Sequence, residues 1–439
     1  MDNIPISEDI IESLKKATGI LSPGTASIRE IVALVNRIEK ETGIRFVRME
    51  MGVPGLPAPE IGINAEIEAL KSGVGSLYPD IAGLRSLKEE ASRFIKLFLD
   101  IDISPGGCIP TVGSMMGSMI CFLVANRNDR TKEGSLFIDP GFPVQKQQVK
   151  MLGHNYFSFD IYNFRGKKLR DKLESLLETG KVSSLIYSNP NNPTWICLTE
   201  EELSIIGELC RKYDVIAIED LAYFGMDFRK DYLNPGEPPF QPTVARYTDD
   251  YVLLISSSKI FSYAGQRIAI MAISDSLFNR SYPDLLRYYS SDKFGHSVVF
   301  GALYGISAGV SHSVQYGFSA LLKAVNDGTY RFRDDIIEYG DKAKIMKELF
   351  TGNGFTITYD KDIDQPIADG FYFTISYPGM TASELIDALI PFGISAITLN
   401  STGSERKDGL RACVSQVPRS LFSDLEHRLK SFRKKYPVK

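Results

Sequence analysis

Between about residues 75 and 310 the chain alternates short apolar runs with longer amphipathic segments, and this rhythm restricts its fold more than any other feature. The runs include "GSLFIDP", "VSSLIYSNP", "YDVIAIEDLAY" and "DDYVLLISSSK". Strands buried on both faces read this way, so the expectation is a mainly parallel sheet with helices on both sides. Between two of the runs, "LTEEELSIIGELCRKY" opens with Thr199 and Glu202 in capping-box spacing and predicts a crossover helix. Before this region, "ASIREIVALVNRIEKETG" predicts a helix stopping at Gly43. After about residue 330 come a helical segment, the candidate strands "FTITYD", "GFYFTISYP" and "LRACVSQ", and a basic helix, "LFSDLEHRLKSFRKKY". The class is α/β, with residues 75–310 as a large domain. A smaller α+β domain takes residues 311–439 together with the N-terminal 1–74.

The length, 439 residues, exceeds what one core usually organises. A formal net charge of -4 gives no general attraction for nucleic acid or an acidic membrane surface, so small molecules are the expected partners. Five scattered cysteines with no CxxC pair, beside four histidines, predict neither a metal site nor a disulfide framework. The start has no signal-peptide pattern and no run is long enough to span a bilayer, which makes the cytoplasm the expected location.

In an open parallel sheet, ligands bind outside the carboxyl ends of the strands. The residues that follow the apolar runs are therefore the candidates for a site: Phe142, Asn192, Asp220, Tyr223, Ser256, Ser258 and Lys259, with Arg267 eight positions further on. Singly, each reads as a cap, a turn or a solvated charge. Together they supply an acid, an amide, a phenol, a ring, hydroxyls and two cations, a set that suits a planar phosphorylated aromatic cofactor.

The motifs "MGVPGLPAPE", "YPDIAGLRSLKEE", "PTVGSMMGSM", "DPGF", "NPNNPT", "IEDLAY", "SSSKIFSYAGQR" and "LRACVS" follow one another along the chain. In that order they resemble the pyridoxal-phosphate-dependent aminotransferases of class I/II, the fold-type I, aspartate aminotransferase-like family, from about Ser27 to the C-terminus. The resemblance makes 75–310 the cofactor-binding domain. It implies that Lys259 binds the cofactor covalently and moves the substrate's proton, and that Asp220 holds the pyridine nitrogen protonated. Tyr223 and Asn192 would bond the phenolic oxygen, and Phe142 would stack on the ring. The phosphate would lie among Arg267, Ser256, Ser258 and the amides of Ser114 and Met115, where a helix begins. Arg411 would grip the substrate α-carboxylate, with Asn192 and Gly52 beside it. Tyr78 would reach the phosphate of a second subunit, which implies a homodimer with shared sites.

Some positions depart from the family. Trp195 stands where Gly is frequent, and is read as a core or interface ring in preference to a pocket lining. The segment "ITLNSTGSERKDG" replaces the usual Pro-Gly stretch over the site. Arg287 and Lys293 read as solvated charges as readily as a second carboxylate seat, so a dicarboxylate substrate is not supported. The expected activity is exchange of an amino group between an amino acid and a 2-oxo acid. A carbon–sulfur β-lyase and a non-catalytic pyridoxal-phosphate-bound regulator are the alternatives on this fold.

Overall fold

A computed structural model of the chain describes residues 4–20 and 22–438. The centre is a seven-stranded sheet of β1 (Cys108–Thr111), β2 (Gly134–Asp139), β3 (Asn155–Asp160), β4 (Val182–Ser188), β5 (Ile216–Asp220), β6 (Tyr251–Ser256) and β7 (Ala269–Ile273), in spatial order β1-β7-β6-β5-β4-β2-β3. Strands β6, β5, β4, β2 and β3 pair in parallel, while β7 runs antiparallel to both of its neighbours. The four runs singled out in the sequence form β2, β4, β5 and β6.

Both faces of the sheet are covered, which is why these strands carry no polar alternation. Along β6, Leu253 and Ile255 enter one apolar layer and Val252 and Leu254 the other. The crossover helix Glu200–Lys212 forms with the expected capping box: the Thr199 hydroxyl accepts from the Glu202 amide, and the Glu202 carboxylate accepts from the Thr199 amide. The N-terminal helix Ile28–Thr42 buries Ile31, Leu34, Val35 and Ile38 and ends at Gly43, whose φ of 69° suits a left-handed cap.

A second, antiparallel sheet joins β8 (Thr356–Ile357), β9 (Tyr372–Ser376), β10 (Ile397–Thr398) and β11 (Leu410–Cys413) in the order β10-β11-β9-β8. Val47–Arg48 pairs in parallel with Ile394–Ser395, tying the N-terminal region to this C-terminal part. The helix Glu60–Lys71 packs elsewhere, against the helix His312–Asn326, which also contacts the helix Arg85–Leu99.

Candidate active site

Strand direction gathers the site. The carboxyl ends of the parallel strands β2, β4, β5 and β6 lie at one edge, so Phe142, Asn192, Asp220 and Lys259 follow at the same edge. Because β7 is antiparallel, its beginning lies there too, and Arg267 lies two residues before it. Strand β1 also ends at this edge, at Thr111, opposite Ala269, and feeds the helix Gly113–Ala125 whose first turn holds Ser114 and Met115. A Cβ at residue 113 would come within 2.6 Å of the Arg267 guanidinium, so glycine there lets the arginine close over the helix N-terminus.

Asp220 is 7% exposed and its carboxylate accepts from the Gln145 side-chain amide at 2.9 Å and the Ala222 backbone amide at 3.1 Å. No cation pairs with it among the described residues. Burial raises its pKa to about 6 against the pull of those two donors. Lys259 likewise has no carboxylate partner among the described residues; its Nζ donates to the Gly52 carbonyl. Burial lowers its pKa to about 8, with Arg411 and Arg267 adding repulsion. A buried carboxylate and a half-buried, desolvated amine that do not neutralise each other mark a functional crevice more than a structural ion pair.

The serines of the loop divide their work. Ser256 ends β6 and its hydroxyl oxygen accepts from the Ser258 amide, starting the turn that presents Lys259, while its O–H has no acceptor among the described residues. Ser257 donates to the Ile268 carbonyl and is structural. Asn192 is buried and takes a long 3.4 Å contact from Arg411 on its side-chain oxygen, leaving its amide as a donor. The preceding Asn191 braces the loop through the Pro140 carbonyl and Thr194.

Arg411 sits on the inner strand β11 and is 2% exposed, so an edge-strand surface charge is excluded. Its Nη2 donates to the Glu50 carbonyl at 2.6 Å, and its buried Nε has no partner among the described residues. An unpaired guanidinium nitrogen in the interior calls for an anionic ligand. Gly52 packs against Tyr372, over whose ring the Arg411 guanidinium lies. Tyr78, by contrast, is 96% exposed.

A family model for aminotransferases of class I and II matches residues 49–344. The chain belongs to that family. Among similar proteins, a probable aspartate aminotransferase of Methanocaldococcus jannaschii is 23% identical over 327 residues, 69% of this chain and 82% of the relative. An LL-diaminopimelate aminotransferase of Aquifex aeolicus is 23% identical over 398 residues, 90% of this chain and 93% of the relative. An alanine aminotransferase from Pyrococcus furiosus shares the fold, with a TM-score of 0.75 at 18% identity over 95% of this chain and 99% of that one. The protein is thus an aminotransferase enzyme of the fold-type I, α/β class.

Three residues packed around these groups were not placed with them by the sequence. Gln145, the partner of Asp220, lies three positions after Phe142 on the helix Pro143–Met151, and only that helical offset could have suggested it. Tyr372, on β9, donates nothing that sequence pattern reveals, yet its hydroxyl accepts from Tyr223 at 2.9 Å. Trp195 is fully buried, as a core ring should be, and packs edge-on against Tyr223 and Tyr372 at 5.3 and 6.1 Å between centroids. The divergent segment near residue 400 reaches the same edge: the Gly141 amide, next to Phe142, donates to the Thr402 carbonyl at 2.8 Å. Its Glu405 amide bonds Asp160 at the end of β3. Arg287 stacks on Tyr288, and Lys293 donates to the Asn279 carbonyl, so each charge has a local contact.

Proposed function

We propose that this aminotransferase uses pyridoxal 5'-phosphate to exchange an amino group between an amino acid and a 2-oxo acid, in sites shared by two copies of the chain. The observation that carries this reading is the pair of mutually unneutralised groups, buried Asp220 and half-buried Lys259, at one sheet edge with an Arg411 nitrogen that has no partner among the described residues. The residues fit the cofactor. Asp220 suits a protonated ring nitrogen, because a buried carboxylate without a cation gains most from one. The cradle of Arg267 and the Ser114 and Met115 amides suits a phosphate, with Ser256 and Ser258 as further donors. Phe142 offers an apolar face, while Tyr223 and the Asn192 amide supply donors for the phenolic oxygen.

When bound, the cofactor supplies an electron-accepting ring that stabilises negative charge at the substrate α-carbon. The chain's own groups do the rest. Arg411, with Asn192 and Gly52 beside it, orients the α-carboxylate so that the α-hydrogen faces Lys259. Lys259, with a pKa near 8, takes and returns that proton as a neutral amine. Asp220 holds the proton on the ring nitrogen.

Exposure of Tyr78 supports its reaching a second subunit. Its neighbour Leu77 is 62% exposed, Tyr304 and Ile306 are 55 and 48% exposed, and Gly309 approaches Pro79; large exposed apolar side chains are what an interface covers. The pairing of Val47–Arg48 with Ile394–Ser395 supports a small domain assembled from both chain ends. A cytoplasmic location accords with five free, buried cysteines. No helix among the described residues is long and apolar enough to cross a membrane.

The test is reconstitution with pyridoxal phosphate followed by borohydride reduction and peptide mass analysis. Cofactor mass fixed on Lys259, and a visible band that an amino donor bleaches and a 2-oxo acid restores, are the expected results. Labelling elsewhere, or steady ammonia release without a bleached form, overturns the reading.

A further inference from the structure

Tyr372 stands where the two halves of the site meet. On one side its hydroxyl oxygen accepts the Tyr223 proton at 2.9 Å. On the other, the Arg411 guanidinium lies 4.6 Å over its ring. A Cβ at residue 52 would come within 1.9 Å of the Tyr372 hydroxyl, so glycine at 52 admits this phenol to the segment whose carbonyl holds Lys259. Tyr372 is 2% exposed, and its own hydroxyl proton has no acceptor among the described residues. Burial pushes its pKa up to about 12 although Arg411 pulls the other way, so the phenol keeps its proton at any working pH.

We infer that Tyr372 is a positioning residue that couples the carboxylate seat at Arg411 to the hydrogen bond Tyr223 offers the cofactor. The inference rests on the pyridoxal phosphate reading above. Tyr223 has one proton to donate. While Tyr372 accepts it, less is available to the cofactor's phenolic oxygen. The cation over the Tyr372 ring weakens that acceptor, and a carboxylate bound to Arg411 offsets the cation and strengthens it again. Occupation of the seat is thereby felt at Tyr223 without any movement of the backbone. The ring has a separate duty, which is to hold the guanidinium flat.

These two duties separate by substitution in the holoenzyme. Tyr372→Phe keeps the ring and removes the acceptor, so Tyr223 donates fully to the phenolic oxygen, draws charge from it, and makes the nitrogen joined to the cofactor less basic. The pH midpoint of the cofactor's visible absorption should fall by about half a unit or more, with the KM for the amino donor within about twofold of wild type. Tyr372→Leu removes the ring as well and should raise that KM about tenfold. On a Tyr223→Phe background, Tyr372→Phe should leave the midpoint where Tyr223→Phe alone puts it, because the effect runs through Tyr223. Thermal melting of each variant reports whether it is folded. An unmoved midpoint in Tyr372→Phe, or an equal shift on both backgrounds, overturns the coupling. A wild-type protein with no cofactor band that borohydride fixes overturns the pyridoxal phosphate reading and this inference with it, and is seen before any variant is compared.

Discussion

The floor and the rim of the site are built differently. The floor, with Asp220, Tyr223, Asn192 and Arg411, is between 2 and 8% exposed and each member has partners within the chain. The rim is open: Arg267 is exposed, held by the Ala264 carbonyl at 2.8 Å, and Tyr78 is 96% exposed beside bare Leu77. Desolvation changes the chemistry at the floor, shifting Asp220 up and the neighbouring Lys259 down. On the proposed reading, a single chain supplies the proton-handling groups and leaves the phosphate side to be covered.

That contrast is broken most severely at Lys259. Lys259→Ala should abolish cofactor fixation by borohydride and lower amino transfer by at least about 10³-fold, since a positioned acid–base group contributes about 10²–10⁴. Circular dichroism should show an unchanged fold. Second in size is a pH effect. The amine reacts with an aldehyde only when neutral, so the rate at which cofactor-free protein takes up pyridoxal phosphate should rise with pH and level off above about 8. An ordinary lysine would keep rising towards about 10.4, and such a profile would show that the floor does not desolvate Lys259.

Arg411→Lys should raise the KM for the amino donor by about 10- to 150-fold, equivalent to about 1.5–3 kcal/mol for one charge-assisted hydrogen bond, with little loss of cofactor. Equal losses of both would merge floor and rim into one unit. On the rim, Arg267→Ala should weaken cofactor retention in dialysis by about tenfold and leave the donor KM within a few-fold. The smallest effect is expected from Tyr78→Phe, which removes one hydrogen bond and should cost about 2- to 10-fold in cofactor affinity. Its diagnostic form is a hybrid with Lys259→Ala subunits. If sites are shared, the hybrid contains one site with both defects and one with neither; two singly defective sites would show that each copy uses its own Tyr78.

The candidate groups could be picked out in the sequence because each apolar run is followed at its carboxyl side by a polar or charged residue, and the parallel strands bring those ends to one edge. Asp220 closes β5, and Lys259 follows the serines that close β6. Gln145 and Tyr372 were not legible, since their roles depend on where the helix after Phe142 and the second sheet come to rest. Trp195 was read as a core ring, and it is one, but only packing shows that this part of the core is the back wall of Tyr223.

The sequence by itself determined the parallel architecture and the order of the strand-end groups, because burial on both faces of a sheet writes an apolar run that few other structures require. Tertiary structure alone decided which of those groups are left uncompensated. Among the described residues Asp220 and Lys259 each lack an ionic partner and Arg411 keeps a bare Nε, while Tyr372 joins two regions 149 residues apart in the chain. A charge's partners and its access to water are set by neighbours that are distant in sequence, and these shift a pKa or free a donor where the residue's type cannot.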